Sequence, residues 1–398
     1  MGTQRRSLWL IAGIAGASLV VLGIGGGLLA LALILVGGGN PAATDTLPVA
    51  GLLGLGLGLG VPLAVQGWAG WLARPSRPFR LSHGGWMWLA LALLIGLGTA
   101  VSAWSLAPGL LLPPVHAIVM VLLPLVVLGL VGKPLQGRGG SWREVIAGMA
   151  GGGYLGVGGS LLAEGLVAFA LAICVAIVVG TTPGGPERIT SLLSNLQDPA
   201  WVADVDNVLR LLLSPAIAIS VLGLFTIPVP LIEEALKTLA AGVAARWVRP
   251  HPARAFLWGV AGGAGFALAE NLFNGALGGA ESWGLGAIAR FGATVMHCCT
   301  GALVGWGWGQ CWTARRPLRL LGSYLLAVIV HGLWNAATVS AVLLSASTLS
   351  RGGHGAWPAL AGLGTMAILG LLGALTLASM VALPWLGRKL ALQDGVLQ

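Results

Sequence analysis

Two adjacent glutamates and a lysine, Glu233, Glu234 and Lys237, lie in Pro230-Leu-Ile-Glu-Glu-Ala-Leu-Lys-Thr238, within a chain that is otherwise close to hydrocarbon in character. Charged residues make up only 8% of the 398 positions, and an ionised group among apolar helices needs a counter-charge, a proton or a water-filled pocket. On a helix Lys237 reaches back to either carboxylate, four residues to Glu233 and three to Glu234. Pro230 suits a first helical turn, and the unpaired N–H groups of such a turn favour both negative charges.

Three more groups follow on successive apolar stretches. Phe266 and Glu270 share a helix face, with Asn271 beside them and Asn274 one turn on. Arg290, Thr294, His297, Gly301, Gly305 and Gly309 recur mainly by three and four, so His297 leads a smooth glycine stripe that a neighbouring backbone can approach. His331 and Asn335 stand one turn apart on one face. Carboxylates with two imidazoles at membrane depth are what water activation needs: a base, a group that orients the water, and donors for an oxyanion. The same side chains are ordinary zinc ligands, with a water in the fourth position. Both chemistries stay open at this point.

Plainer readings stand beside these. A glutamate with Lys237 also reads as a neutralised structural pair, and Glu270 or His331 singly as a hydrogen bond between helices. Glu164 has no polar company on its face and reads as structural. Cys298 and Cys299, next to His297, read as small buried hydrophobes. His83, His251 and His354 fall in loops.

The elements that must position these groups are membrane helices. Hydrophobic residues make up 57% of the chain and the mean hydropathy is +0.91, so an all-α, polytopic transmembrane bundle of about ten spans is expected. A net charge of +9 does not indicate nucleic acid, because the bases sit between apolar runs in alternate loops: Arg5 and Arg6; Arg74, Arg77 and Arg80; Lys133, Arg138 and Arg143; Arg246, Arg249 and Arg254; Arg315, Arg316 and Arg319; Arg388 and Lys389. That pattern predicts cytoplasmic N- and C-termini. The opposite loops hold Asp45, Glu187, Asp198, Asp204, Asp206 and Glu281.

Apolar runs cover 8–36, 48–72, 86–106, 112–132, 145–180, 208–228, 231–247, 255–277, 285–312, 319–346 and 357–386, each near the length a bilayer requires. The first is too long for a signal peptide and reads as a retained anchor. Eleven crossings conflict with the charge pattern, so 231–247 is expected to be re-entrant or to continue 208–228 past a kink at Pro228-Val-Pro230. The Gly-Leu alternation from Gly54 to Gly60 is read as helix, since an open sheet edge does not survive in lipid. Gly23xxxGly27, Gly259xxxGly263 and Gly301xxxGly305xxxGly309 read as helix-packing faces, and residues 181–207 as an external loop with a short helix. The four cysteines show no spacing that implies a disulfide framework.

The ordered set Glu233-Glu234-x-x-Lys237, Phe266-x-x-x-Glu270-Asn271, His297 followed by glycines, and His331-x-x-x-Asn335 resembles the four motifs of the PrsW family of intramembrane proteases. That family stands with the CAAX-processing and bacteriocin-processing proteases, which carry Glu-Glu-x-x-x-Arg and a histidine in place of Glu270. The resemblance spans about residues 225–345, and the chain departs from it in its long N-terminal half and in Asn335, where relatives often have Asp. It implies a bacterial inner-membrane protease that cuts a membrane-tethered protein such as an anti-sigma factor, with the acid pair at Glu233 and Glu234 and the motif histidines at His297 and His331.

The expected domains are 1–205, N-terminal transmembrane helices acting as a gate or partner module and ending in an external loop; 206–346, the catalytic membrane core; and 347–398, a C-terminal transmembrane helix with a cytoplasmic tail. The expected catalytic set is Glu233, Glu234, His297, His331 and Asn335, supported by Lys237, Glu270, Asn271 and Arg290. Lys237 is expected to keep the second glutamate ionised and Asn335 to stabilise the oxyanion. If a metal is present, zinc on Glu234, Glu270, His297 and His331 is expected; a metal-free glutamate mechanism is equally open. The expected partners are the lipid bilayer and a membrane-tethered substrate, with no nucleic acid. A non-catalytic scaffold with the protease fold and a proton-coupled transporter are the alternatives; the second needs matching charges in the N-terminal half, which offers only Glu164 within an apolar run.

Overall fold

With no water to satisfy the backbone in a bilayer, a spanning chain bonds its own peptide groups as helix. The computed structural model describes residues 3–36, 42–81, 85–274, 282–350 and 356–396, without the side chains of 3–5, 43–45 and 394–396. His83, His354, Glu281, the side chains of Arg5 and Asp45, and the end of the 255–277 run lie outside the described residues.

Among the described residues ten helices are long and apolar enough to cross a membrane, and no strand occurs. They are α1 (Arg6–Val36), α2 (Thr46–Trp71), α3 (Gly85–Ala103), α4 (Pro108–Gly132), α5 (Trp142–Gly180), α6 (Pro215–Val248), α7 (Pro252–Asn274), α8 (Trp283–Trp312), α9 (Pro317–Ser350) and α10 (Trp357–Gln393). The runs 208–228 and 231–247 merge in α6, which is interrupted at Ile227 and again at Thr238. The first interruption follows from Pro228 and Pro230, which have no N–H to offer the carbonyls of Leu224 and Thr226. The Gly-Leu stretch is helical throughout, with a wide turn at Gly56–Gly60.

Residues 181–207 differ from the expected loop with one short helix. They hold the helices Gly185–Gln197 and Pro199–Ala203 and the start of Val205–Leu212. Proline in the first turn starts the first two. Asp198 and Asp204 cap the second and third, accepting from the N–H groups of Ala200 and Asp206 at 2.9 Å each.

The chain forms two units. The first comprises Met1–Gly159, Glu234–Ala327 and Thr376–Gln398, and the second Ser160–Glu233 and Val328–Leu375. In the first unit α4 and α7 are the most buried helices, with Leu123, Val126, Leu257, Val260 and Leu268 at the centre of the core. Helices α7 and α8 meet glycine to glycine: a Cβ at Gly259 would lie 2.0 Å from the Gly301 carbonyl oxygen, and one at Gly263 would lie 2.1 Å from that of His297. The two expected packing faces therefore face each other, and only residues without Cβ allow that approach. Gly23 packs on the backbone of α2 at Leu52 and Gly56, and Gly27 on the side chain of Leu53.

The basic loops of the first unit meet at one end. Arg254 grips Glu144 through two hydrogen bonds of 2.8 and 2.9 Å, Trp258 Nε1 donates to the same carboxylate at 2.8 Å, and Ser141 adds a third partner. Arg143 donates to the Arg74 carbonyl at 2.8 Å and covers the ring of Trp9. At the same end, Arg138 donates to the Ala391 carbonyl. Loops read as lying on one side of the membrane are thus in contact, together with residues from near both chain ends.

In the second unit the α5 residues Leu166, Phe169, Ile173, Ile177 and Val178 are exposed along the helix. In a membrane protein this is a lipid-facing surface.

Candidate active site

Within the first unit one polar network runs through the apolar core. Glu234 and Lys237 are fully buried and pair at 2.5 Å, three residues apart on α6. The ammonium also donates to Thr300 Oγ1 at 2.8 Å and lies 3.3 Å from His297 Nδ1, so its three protons have three partners. An ammonium has no acceptor, so His297 Nδ1 accepts and Nε2 carries the ring proton. That Nε2 lies 2.9 Å from Glu270 Oε2.

The network continues from Glu270. Arg290 Nη2 lies 2.8 Å from the same Oε2, and Asn274 donates to Oε1 at 3.0 Å. Arg290 Nε donates to Asn271 Oδ1 at 2.6 Å, Asn271 Nδ2 donates to Thr294 Oγ1 at 2.7 Å, and Thr294 donates to the Arg290 carbonyl. Phe266 packs its ring 5.1 Å from the His297 imidazole. Two carboxylates are matched by two cations around a neutral imidazole, which is the balance that makes buried charge tolerable.

Within the second unit Glu233 Oε2 lies 3.6 Å from His331 Nε2, and both side chains are buried. Asn335, one turn beyond His331, donates its amide to the Phe225 carbonyl at 3.1 Å, on the turn just before the proline break in α6. Gly332 approaches the same turn, where a Cβ would lie 2.4 Å from the Thr226 carbonyl oxygen. The Thr226 oxygen is the one that Pro230 leaves without its helical donor.

The sequence-derived residues thus fall into two sets. Glu234, Lys237, Glu270, Asn271, Arg290 and His297 form one, and Glu233, His331 and Asn335 the other; in the chain the peptide bond from Glu233 to Glu234 joins them. Thr300 was absent from the sequence reading, although it lies three residues after His297 and so on the same face. His116 was also missed. It is buried, placing Nε2 3.2 Å from the Leu272 carbonyl oxygen and accepting from Trp283 Nε1 at 3.3 Å, and so ties α4 to α7 and α8. Cys298 is buried among hydrophobic residues and Glu164 is half-buried.

The donors suit a metal. Nitrogen and carboxylate oxygen are zinc ligands, and two donors on one tetrahedral zinc, each at about 2.05 Å, stand roughly 3.3 Å apart. The 3.6 Å between Glu233 and His331 is close to that separation and too long for a hydrogen bond. His297 and Glu270, at 2.9 Å, are spaced as a hydrogen-bonded pair.

The fold is that of a multi-pass α-helical membrane protein, and its site is an ionisable constellation on the buried faces of spanning helices. Residues 165–382 match the model of the PrsW family of intramembrane metalloproteases, and the chain belongs to that family. It is accordingly an intramembrane protease, a hydrolase that works in the lipid bilayer on a membrane protein substrate. No curated protein and no solved structure matches the chain.

Proposed function

We propose that this protein is an endopeptidase of the bacterial inner membrane, with both termini cytoplasmic, which cleaves a membrane-tethered protein such as an anti-sigma factor with activated water. Residues 206–346 form the catalytic core, 1–205 a gate or partner module, and 347–398 an anchoring helix and tail. The observation that carries the reading is the buried Glu233–His331 pair, an acid set against an imidazole in an apolar environment.

Glu233 takes the proton from water, and the His331 imidazole orients that water. Asn335, held to the Phe225 carbonyl, keeps a second amide proton for the developing oxyanion. Lys237 keeps Glu234 ionised through their ion pair. Glu270 fixes the direction of the His297 ring and is itself held by Arg290. Of the donors in the second unit, Glu233 and His331 would hold zinc. Zinc, when bound, supplies Lewis acidity that polarises a carbonyl and lowers the pKa of water.

The test is cleavage of a panel of tethered single-span reporters by purified protein, with and without a strong chelator. Loss of cleavage on chelation, restored by zinc, supports the metal reading; cleavage indifferent to chelator makes Glu233 a metal-free base. No cleavage of any reporter by well-folded protein overturns the reading in favour of a scaffold.

A further inference from the structure

The segment between α5 and α6 contains two amphipathic helices of one pattern. In Gly185–Gln197 the apolar residues are Ile189, Leu192, Leu193 and Leu196, and in Val205–Leu212 they include Val205, Val208, Leu209 and Leu212. Both sets follow the i, i+3, i+4, i+7 spacing of a single stripe. The opposite faces carry Glu187, Ser191 and Ser194 in the first helix, and Asp206 and Arg210 in the second. The stripes are not fully covered: Leu193 is 56% and Val205 66% exposed, and Leu196 and Val208 are exposed as well.

Connectivity decides what covers them. The first helix starts against the last turn of α5: a Cβ at Gly185 would lie 1.9 Å from the Val179 carbonyl oxygen, and Ile189 Cδ1 lies within 3.5 Å of the Cβ position at Gly180. Only Leu213 and Ser214 separate the second helix from Pro215, where α6 begins, and the three steps from Leu212 to Pro215 reach at most about 11 Å. Both helices are therefore held at the end of spanning segments, level with the interfacial layer of a bilayer. At that end of α5, Ile177 and Val178 are themselves exposed apolar residues.

We infer that these two helices lie in the plane of the membrane interface with their apolar stripes in the lipid. The occupant is the acyl boundary itself and not a particular headgroup, because the segment carries Glu187, Asp198, Asp204 and Asp206 against only Arg188 and Arg210. Apolar burial drives the contact, without the basic face that selects anionic lipid. The segment thereby fixes the depth at which α6, the helix that carries Glu233, enters the bilayer.

The experiment places an environment-sensitive fluorescent amino acid, by codon suppression in the full chain, at Leu193, Leu196, Val205 or Val208. Glu187, Ser191 and Asp206 serve as controls, in nanodiscs of zwitterionic phospholipid. Lipids with a nitroxide near the headgroup should quench the stripe positions several-fold more strongly than aqueous iodide does, and the controls should show the reverse. Stripe positions quenched by iodide as strongly as the controls would overturn the inference in favour of helices standing in water. Quenching by neither agent would overturn it in favour of a protein partner. Neither readout depends on proteolysis, so this inference and the proposed function fail independently.

Discussion

His297 Nε2 lies 2.9 Å from Glu270 Oε2, and the same oxygen lies 2.8 Å from Arg290 Nη2. One carboxylate oxygen thus serves an imidazole and a guanidinium together, and the orientation of the ring depends on a charge balance made elsewhere. Replacing Glu270 with Leu leaves the half-buried Arg290 without its counter-charge and should lower stability. Replacing Arg290 with Met in addition should restore much of the melting temperature in detergent but none of the cleavage. Recovery of cleavage in the double variant would show that Glu270 has no part in the chemistry.

Glu233 and His331, which face each other at 3.6 Å, are placed for the chemistry itself. Glu233→Gln and His331→Ala are each expected to lower reporter cleavage by about 10²–10⁴-fold, the usual contribution of a positioned acid–base group, while the protein still inserts and accumulates. Full activity in Glu233→Gln would remove the acid from the mechanism.

Lys237 has all three of its protons engaged in the apolar interior. Lys237→Met strands the Glu234 carboxylate and should reduce accumulation and thermal stability sharply, by about 3–5 kcal/mol. Adding Glu234→Gln should recover stability. If Lys237→Met alone melts like the parent, the ion pair contributes nothing measurable.

The crossing of α7 and α8 supplies a steric test. Gly263→Ala places a Cβ about 2 Å from the His297 carbonyl oxygen, and overpacking of this kind costs typically about 1–3 kcal/mol. Gly286→Ala on the same α8 meets nothing within 4 Å and should be neutral or slightly stabilising. Paired melting curves check both, and equal curves would contradict the close approach.

The sequence by itself determined the helical class and most of the span boundaries, because hydropathy and the demand for internal backbone bonding leave a chain in lipid almost no other choice. It also determined which residues carry charge at membrane depth, since Glu233, Glu234, Lys237, Glu270 and Arg290 stand out against hydrocarbon. The glycine faces were legible for a similar reason, as spacing alone places them on one side of a helix.

The tertiary structure decided the partners. Lys237 can reach either glutamate by spacing, and its choice of Glu234 depends on Thr300 and His297 arriving from α8, which no local pattern encodes. Thr300 itself is unremarkable in sequence, because a threonine on an apolar helix ordinarily bonds its own backbone. Only one short helix within residues 181–207 was legible in the sequence, because the stripes are short and the caps, Asp198 and Asp204, are side chains whose role appears only when the backbone turns beneath them. Pairings between helices far apart in the chain depend on the three-dimensional approach of their faces, and hydropathy is blind to that.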